Sequence, residues 1–160
     1  MAKILLIGNG AREHCIAETL KRSTETELYA YLKSKNPGII ALSKDFEIGN
    51  YNDLEKIKEY SQRIKPDFAI IGNEEPLSNG VVDLIKDMEI ESVGPTKNLA
   101  QLETSKSFTR NLLKKYKING NPEFGIFSKN NIVDAKKFLD GLGQCVIKPD
   151  GLTGGKGVKV

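Results

Sequence analysis

The chain has 160 residues, 39% of them hydrophobic and 28% charged, enough for one globular core or for one domain plus part of another. Its apolar runs fall far short of the roughly 20 residues of a membrane span or of a signal peptide's apolar region. The net charge of +3 comes from lysines interleaved with acids, as in Glu55-Lys56-Ile57-Lys58-Glu59, which reads as solvated helix faces and argues against nucleic-acid binding. The two cysteines, Cys15 and Cys145, are far apart in segments that read as buried, so neither a disulfide framework nor a zinc site is expected, and a reducing cytoplasm fits.

Lys3 to Ile7 is a continuous apolar run ending in glycine, the pattern of a parallel strand buried on both faces. Residues 12 to 22, with Ile16 and Leu20 four apart, predict a helix, and Thr26 to Leu32 predicts the next strand. Asn52 or Asp53 can cap a helix with Leu54, Ile57, Tyr60 and Ile64 on one face, and Pro66 stops it. Phe68 to Ile71 is another buried strand, again closed by glycine, and Leu77, Val81, Val82, Ile85 and Met88 predict one amphipathic helix. Repeated strand, glycine-bearing turn and helix predict a doubly wound, Rossmann-like α/β sheet with ligands at the carboxyl ends of its strands.

Around Ser92-Val93-Gly94-Pro95 a short strand ends, and helices dominate through about Tyr116, with Phe108 and Leu112 four apart. We place a domain boundary near residue 103, giving domains 1–103 and 104–160. Beyond it the pattern predicts a strand at Glu123 to Phe127, a helix from Asn131 to Leu139 and a strand at Gln144 to Lys148. Gly157-Val158-Lys159-Val160 reads as the start of a strand, so the sequence is expected to stop inside a domain.

Three segments carry candidate chemistry. Gly8-Asn9-Gly10-Ala11-Arg12-Glu13-His14 follows the first strand, where two glycines allow a tight turn and leave amides at a helix start that favours a phosphate. A dinucleotide fingerprint would need a third glycine where Glu13 stands and an acid ending the second strand, where the chain reads Tyr29-Ala30-Tyr31-Leu32-Lys33. Arg12 can offer a forked cation to a phosphomonoester and Glu13 a carboxylate to an amine or hydroxyl; equally, both suit a solvated helix start. His14, the only histidine, reads as structural, and Cys15 as a small buried apolar residue.

In Gly72-Asn73-Glu74-Glu75-Pro76-Leu77, two acids follow a buried strand. One can accept from ribose hydroxyls, or both can complement the dipole of a helix opened by Pro76. Val146-Ile147-Lys148-Pro149-Asp150-Gly151-Leu152-Thr153-Gly154-Gly155-Lys156-Gly157-Val158 places two lysines among clustered glycines, a flexible hairpin suited to covering phosphates. It departs from the P-loop, with Asp150 at the first glycine position and Gly157 after the lysine.

Together with Gly80-Val81-Val82-Asp83, Gly94-Pro95, Gln101-Leu102-Glu103 and Ser105-Lys106, these segments resemble the phosphoribosylamine–glycine ligase family of the ATP-grasp superfamily, over essentially all 160 residues. The resemblance implies a pre-ATP-grasp domain followed by the start of an ATP-grasp domain. It implies an activity joining glycine to phosphoribosylamine, with ATP becoming ADP and phosphate through glycyl phosphate, in purine biosynthesis, and a need for magnesium or manganese.

Carried over by position, Gly8, Asn9, Gly10, Arg12 and Glu13 resemble part of the phosphoribosylamine pocket, and Glu74 the acid on its ribose. Lys106 and Lys148 resemble the two lysines on the ATP phosphates, and Gly154, Gly155, Lys156 and Gly157 the mobile lid. Asn73, Ala11 and Pro149 stand where the family usually has proline, glycine and alanine. The metal ligands, the adenine-binding segment and the glycine site are expected in a further C-terminal part, so the 160 residues alone are expected not to complete the reaction. The competing reading is a phosphate-binding Rossmann-type module, for a sugar phosphate or a dinucleotide, without ligase activity.

Overall fold

The computed structural model describes residues 1–154 and 156–160 and divides into two compact units, Met1–Ala100 and Gln101–Val160. The first unit is built on five parallel strands: β1 (Ala2–Ile7), β2 (Thr26–Leu32), β3 (Asp45–Ile48), β4 (Phe68–Ile71) and β5 (Glu91–Val93), in the order β3-β2-β1-β4-β5. The order reverses between β1 and β4. A doubly wound sheet opens a crevice outside the carboxyl ends of its strands at such a point, so the turns after Ile7 and Ile71 are placed beside each other by topology.

Period-two alternation sorts the strand residues onto two faces. Leu6, Leu28, Ala30 and Leu32 pack with Ala17 of α1 (Ala11–Lys21) and Ile39 of α2 (Pro37–Leu42). Leu5, Ile7, Tyr29, Tyr31, Ala69 and Ile71 face the other way, against α3 (Leu54–Ile64), α4 (Glu74–Asn79) and α5 (Val81–Asp87). Leu5, Leu6, Ile7, Tyr31 and Leu32 are wholly buried, as central parallel strands covered on both sides require.

Local chemistry sets the helix ends. The Asp53 side chain accepts from the Lys56 N–H at 3.1 Å to cap α3, and Asn36 accepts from the Ile39 N–H at 3.2 Å ahead of Pro37. α2 and β3 have no counterpart in the sequence-based expectation. The single helix expected over Leu77 to Met88 is two helices, because Gly80 adopts φ +88°, a left-handed conformation that ends α4 before α5 starts.

α6 (Lys97–Thr104) contains the division between the units, and the second unit continues with α7 (Lys106–Lys115) and α8 (Ile132–Leu142). Two expected strands are absent there among the described residues. Glu123 to Phe127 has no ladder partner, and the Gln144 to Lys148 run makes only one antiparallel bridge, Ile147 to Lys159. Its two hydrogen bonds, at 2.8 and 2.9 Å, close the hairpin that brackets the glycine-rich segment. An apolar run becomes a strand only where a neighbour accepts its backbone groups. None of the described residues from 101 to 160 is buried, and no helix among the described residues is long and apolar enough to cross a membrane.

Candidate functional site

The centre of the first site is Glu13. Expected either as a ligand group or as part of a solvated helix start, it is 2% exposed. Its side chain turns back from α1, and Oε2 accepts the Gly10 N–H at 2.6 Å, the return half of a capping box. A β-carbon on Gly8 would lie 2.5 Å from Glu13 Cγ, and one on Gly72 2.3 Å from the same atom and 2.6 Å from Oε1. Gly8 also has φ +142°. The glycines that end β1 and β4 therefore make room for the Glu13 side chain between them. The Gly10 amide, expected to face a phosphate, is occupied by Glu13.

The second carboxylate oxygen, Oε1, is buried without a hydrogen-bond partner and lies 4.0 Å from Arg12 Nε. A buried carboxylate oxygen with an unused lone pair is costly, and a donor from a bound amine or hydroxyl would satisfy it. Arg12 Nη2 donates to Glu74 Oε1 at 3.1 Å, joining the β1 turn to the β4 turn. The backbone N–H of Glu74 itself, then Arg12, hold the Glu74 carboxyl below the ordinary 4.5.

Asn9 ties the same turn to the end of β2. Its Oδ1 accepts the Tyr51 hydroxyl at 2.9 Å and the Lys33 N–H at 3.2 Å, its Nδ2 donates to Ser34 Oγ at 3.1 Å, and its carbonyl accepts from Asn36 Nδ2 at 3.0 Å. Lys33 Nζ reaches Glu75, with contacts of 2.5 and 2.8 Å. Both acids after β4 are thus paired with cations from other strand ends, beyond any part in the dipole of α4. Lys33, Asn36 and Tyr51 escaped the sequence reading. Lys33 was visible only as the residue where a dinucleotide site would want an acid.

His14 packs against α2, where a β-carbon on Gly38 would lie 2.2 Å from its ring, and its Nε2 is 3.6 Å from Glu18. Cys15, expected to be buried, is exposed, because the α1 face it occupies points away from the sheet; Cys145 is half-buried.

In the second unit, Lys106 opens α7 and its ammonium donates to the Gly151 carbonyl at 2.7 Å. Lys148 is exposed at the root of the glycine-rich segment. Gly151, Gly154 and Gly157 have φ +90°, +56° and +78°, backbone that other residues rarely adopt, and the Lys156 N–H closes a turn on Thr153 at 3.0 Å. Gly155 lies outside the described residues. Clustered left-handed glycines beside lysines form a loop able to bend over phosphoryl oxygens.

Among solved structures, an N5-carboxyaminoimidazole synthetase from Staphylococcus aureus complexed with ADP superposes with a TM-score of 0.70 at 17% identity, over 95% of this chain and 39% of that one. A phosphoribosylglycinamide synthetase from Anaerococcus prevotii gives 0.62 at 14% identity, over 86% and 34%. These likenesses define the fold class: a Rossmann-like α/β domain built on a parallel sheet, followed in the chain by a second unit.

Residues 2–103 match the family model "Phosphoribosylglycinamide synthetase, N domain", and residues 104–160 match "Phosphoribosylglycinamide synthetase, ATP-grasp (A) domain". The chain belongs to the phosphoribosylglycinamide synthetase family. It is 52% identical to the phosphoribosylamine–glycine ligase of Methanococcus vannielii and 44% identical to that of Pyrococcus furiosus, over 99% and 100% of its residues. It spans 36% of the length of each.

Proposed function

We propose that these residues form the sugar-phosphate domain and the first part of the ATP-binding domain of a cytoplasmic ligase. The enzyme joins glycine to 5-phosphoribosylamine in purine biosynthesis. ATP phosphorylates the glycine carboxylate, releasing ADP; the sugar amine attacks the acyl carbon and phosphate departs. The substrates are small molecules, with no nucleic acid or membrane involved. Domain limits of 1–103 and 104–160 follow from the same reading.

The observation that carries this reading is the meeting of the β1 and β4 turns at Glu13, Arg12 and Glu74, with the Glu13 Oε1 atom buried and accepting no hydrogen bond. An amine or hydroxyl of the sugar supplies the missing donor. Arg12 lies at the mouth, where its guanidinium meets a phosphate, and Glu74 and Asn9 hold hydroxyls near Gly8 and Gly10. A dinucleotide is disfavoured, since Glu13 fills the space that a third glycine would leave open.

Lys106, Lys148 and Lys156 neutralise ATP phosphates, and Gly154, Gly155 and Gly157 let the backbone close over them. Magnesium or manganese would add to that neutralisation of phosphate charge. The described residues hold no group of three or more histidine, cysteine, aspartate or glutamate side chains able to bind a metal ion.

The test is ADP release from a polypeptide of the relatives' full length. Release that requires both glycine and phosphoribosylamine supports the reading, and so does the absence of turnover from residues 1–160 alone. Release indifferent to either substrate refutes it, as does normal turnover by the 160-residue chain.

A further inference from the structure

Asp150 has more partners than a turn residue needs. Its Oδ1 accepts the Lys106 N–H at 2.6 Å, the Ser107 N–H at 3.3 Å and the Gly151 N–H at 3.0 Å. Its Oδ2 accepts the Ser105 hydroxyl at 3.2 Å and the Ser107 hydroxyl. These bonds to the ionised form, that from the Ser107 hydroxyl foremost, lower its pKa to about 2. In the opposite direction, the Lys106 ammonium donates to the carbonyl of Gly151. Two segments more than 40 residues apart in sequence are thus joined through both side chain and backbone.

The first-turn amides of a helix have no acceptor inside it. In α7, Asp150 takes those of Lys106 and Ser107, and Ser105 Oγ takes that of Phe108 at 3.2 Å. The positive end of α7 is therefore neutralised from within, and what this helix start offers a nucleotide is the Lys106 ammonium. That ammonium rests on the root of the loop that carries Gly154, Lys156 and Gly157. Resting on the ATP-binding reading given above, we infer that Asp150 is a positioning residue, which locks the root of the glycine-rich loop to the start of α7 and holds Lys106 and the loop in one frame for the ATP phosphates.

The experiment compares wild type, Asp150→Ala and Asp150→Asn in the full-length polypeptide by amide hydrogen exchange, ATP titration and steady-state kinetics. Asp150→Ala is expected to speed exchange at Lys106 and Ser107, weaken ATP binding at least tenfold and raise the KM for ATP, with the KM for glycine within twofold of wild type. Asp150→Asn, which keeps an acceptor oxygen but loses the charge, falls between; it also serves if the alanine variant does not fold. ATP affinity within twofold of wild type in both variants overturns the inference, as does unchanged exchange. Should the wild type bind ATP without ligating glycine, the functional reading fails, while the ATP affinities of the variants still decide the role of Asp150.

Discussion

Glu13 and Gly72 are 59 positions apart in sequence and pack so closely that a β-carbon on Gly72 would lie 2.3 Å from Glu13 Cγ. The contact joins the turn after β1 to the turn after β4 across the point where the strand order reverses. Glu13 is buried and hydrogen-bonded to Gly10, so moving its side chain aside would break that bond.

Gly72→Ala is accordingly expected to destabilise the fold by about 1–3 kcal/mol, the usual cost of overpacking, in urea denaturation. Combining it with Glu13→Ala removes the clash. The double variant should be more stable than the sum of the single changes by about 1 kcal/mol or more, the coupling expected of residues in contact. Strict additivity would mean that the two do not touch.

Tyrosine ionisation tests the larger core cluster. Burial raises Tyr31 and Tyr51 from the ordinary 10 to about 12, and raises Tyr60 further. Each keeps its proton in the folded state at a pH where the unfolded chain has lost it. The stability this gives is full below about pH 10 and is lost as pH rises through about 12. Absorbance titration should show Tyr31, Tyr51 and Tyr60 ionising late, together with unfolding, and Tyr51→Phe should remove one late-ionising group. Ionisation of these three near pH 10 would contradict the packing.

Arg12→Ala is expected to weaken ribose 5-phosphate binding at least tenfold, about 1.4 kcal/mol, by fluorescence titration. Unchanged affinity would remove Arg12 from the pocket. Because Arg12 helps hold the Glu74 carboxyl down, the same change should raise the Glu74 pKa toward 4.5, read by carboxyl NMR. The sign follows from linkage: a lowered carboxylate stabilises the fold above its unfolded pKa and loses that contribution as pH falls through its folded value.

The sheet was legible because buried parallel strands are written as unbroken apolar runs, as in Ile4-Leu5-Leu6-Ile7 and Phe68-Ala69-Ile70-Ile71. β3 was not, since Asp45-Phe46-Glu47-Ile48 is short and alternating, as suits the edge position it takes. Nor was the break at Gly80, because the apolar spacing from Leu77 to Ile85 runs straight through it. Near the carboxyl end, apolar composition stood in for strand pairing that Glu123 to Phe127 does not have. At the candidate site, Gly8 and Gly10 were read as a tight turn with amides free for a phosphate; the group packed against Gly8 and Gly72 is the Glu13 side chain, which no sequence pattern announces. The pairing of Lys33 was not legible because its partner, Glu75, lies 42 residues away and only the fold brings them together.

The central claim is that the β1 and β4 turns hold a sugar phosphate. Isothermal titration of the 160-residue chain with ribose 5-phosphate, and separately with NAD, tests it most directly. Saturable binding of ribose 5-phosphate, abolished in Glu13→Gln combined with Arg12→Ala, with no heat from NAD, is the predicted result. Binding of NAD without any binding of ribose 5-phosphate would contradict it.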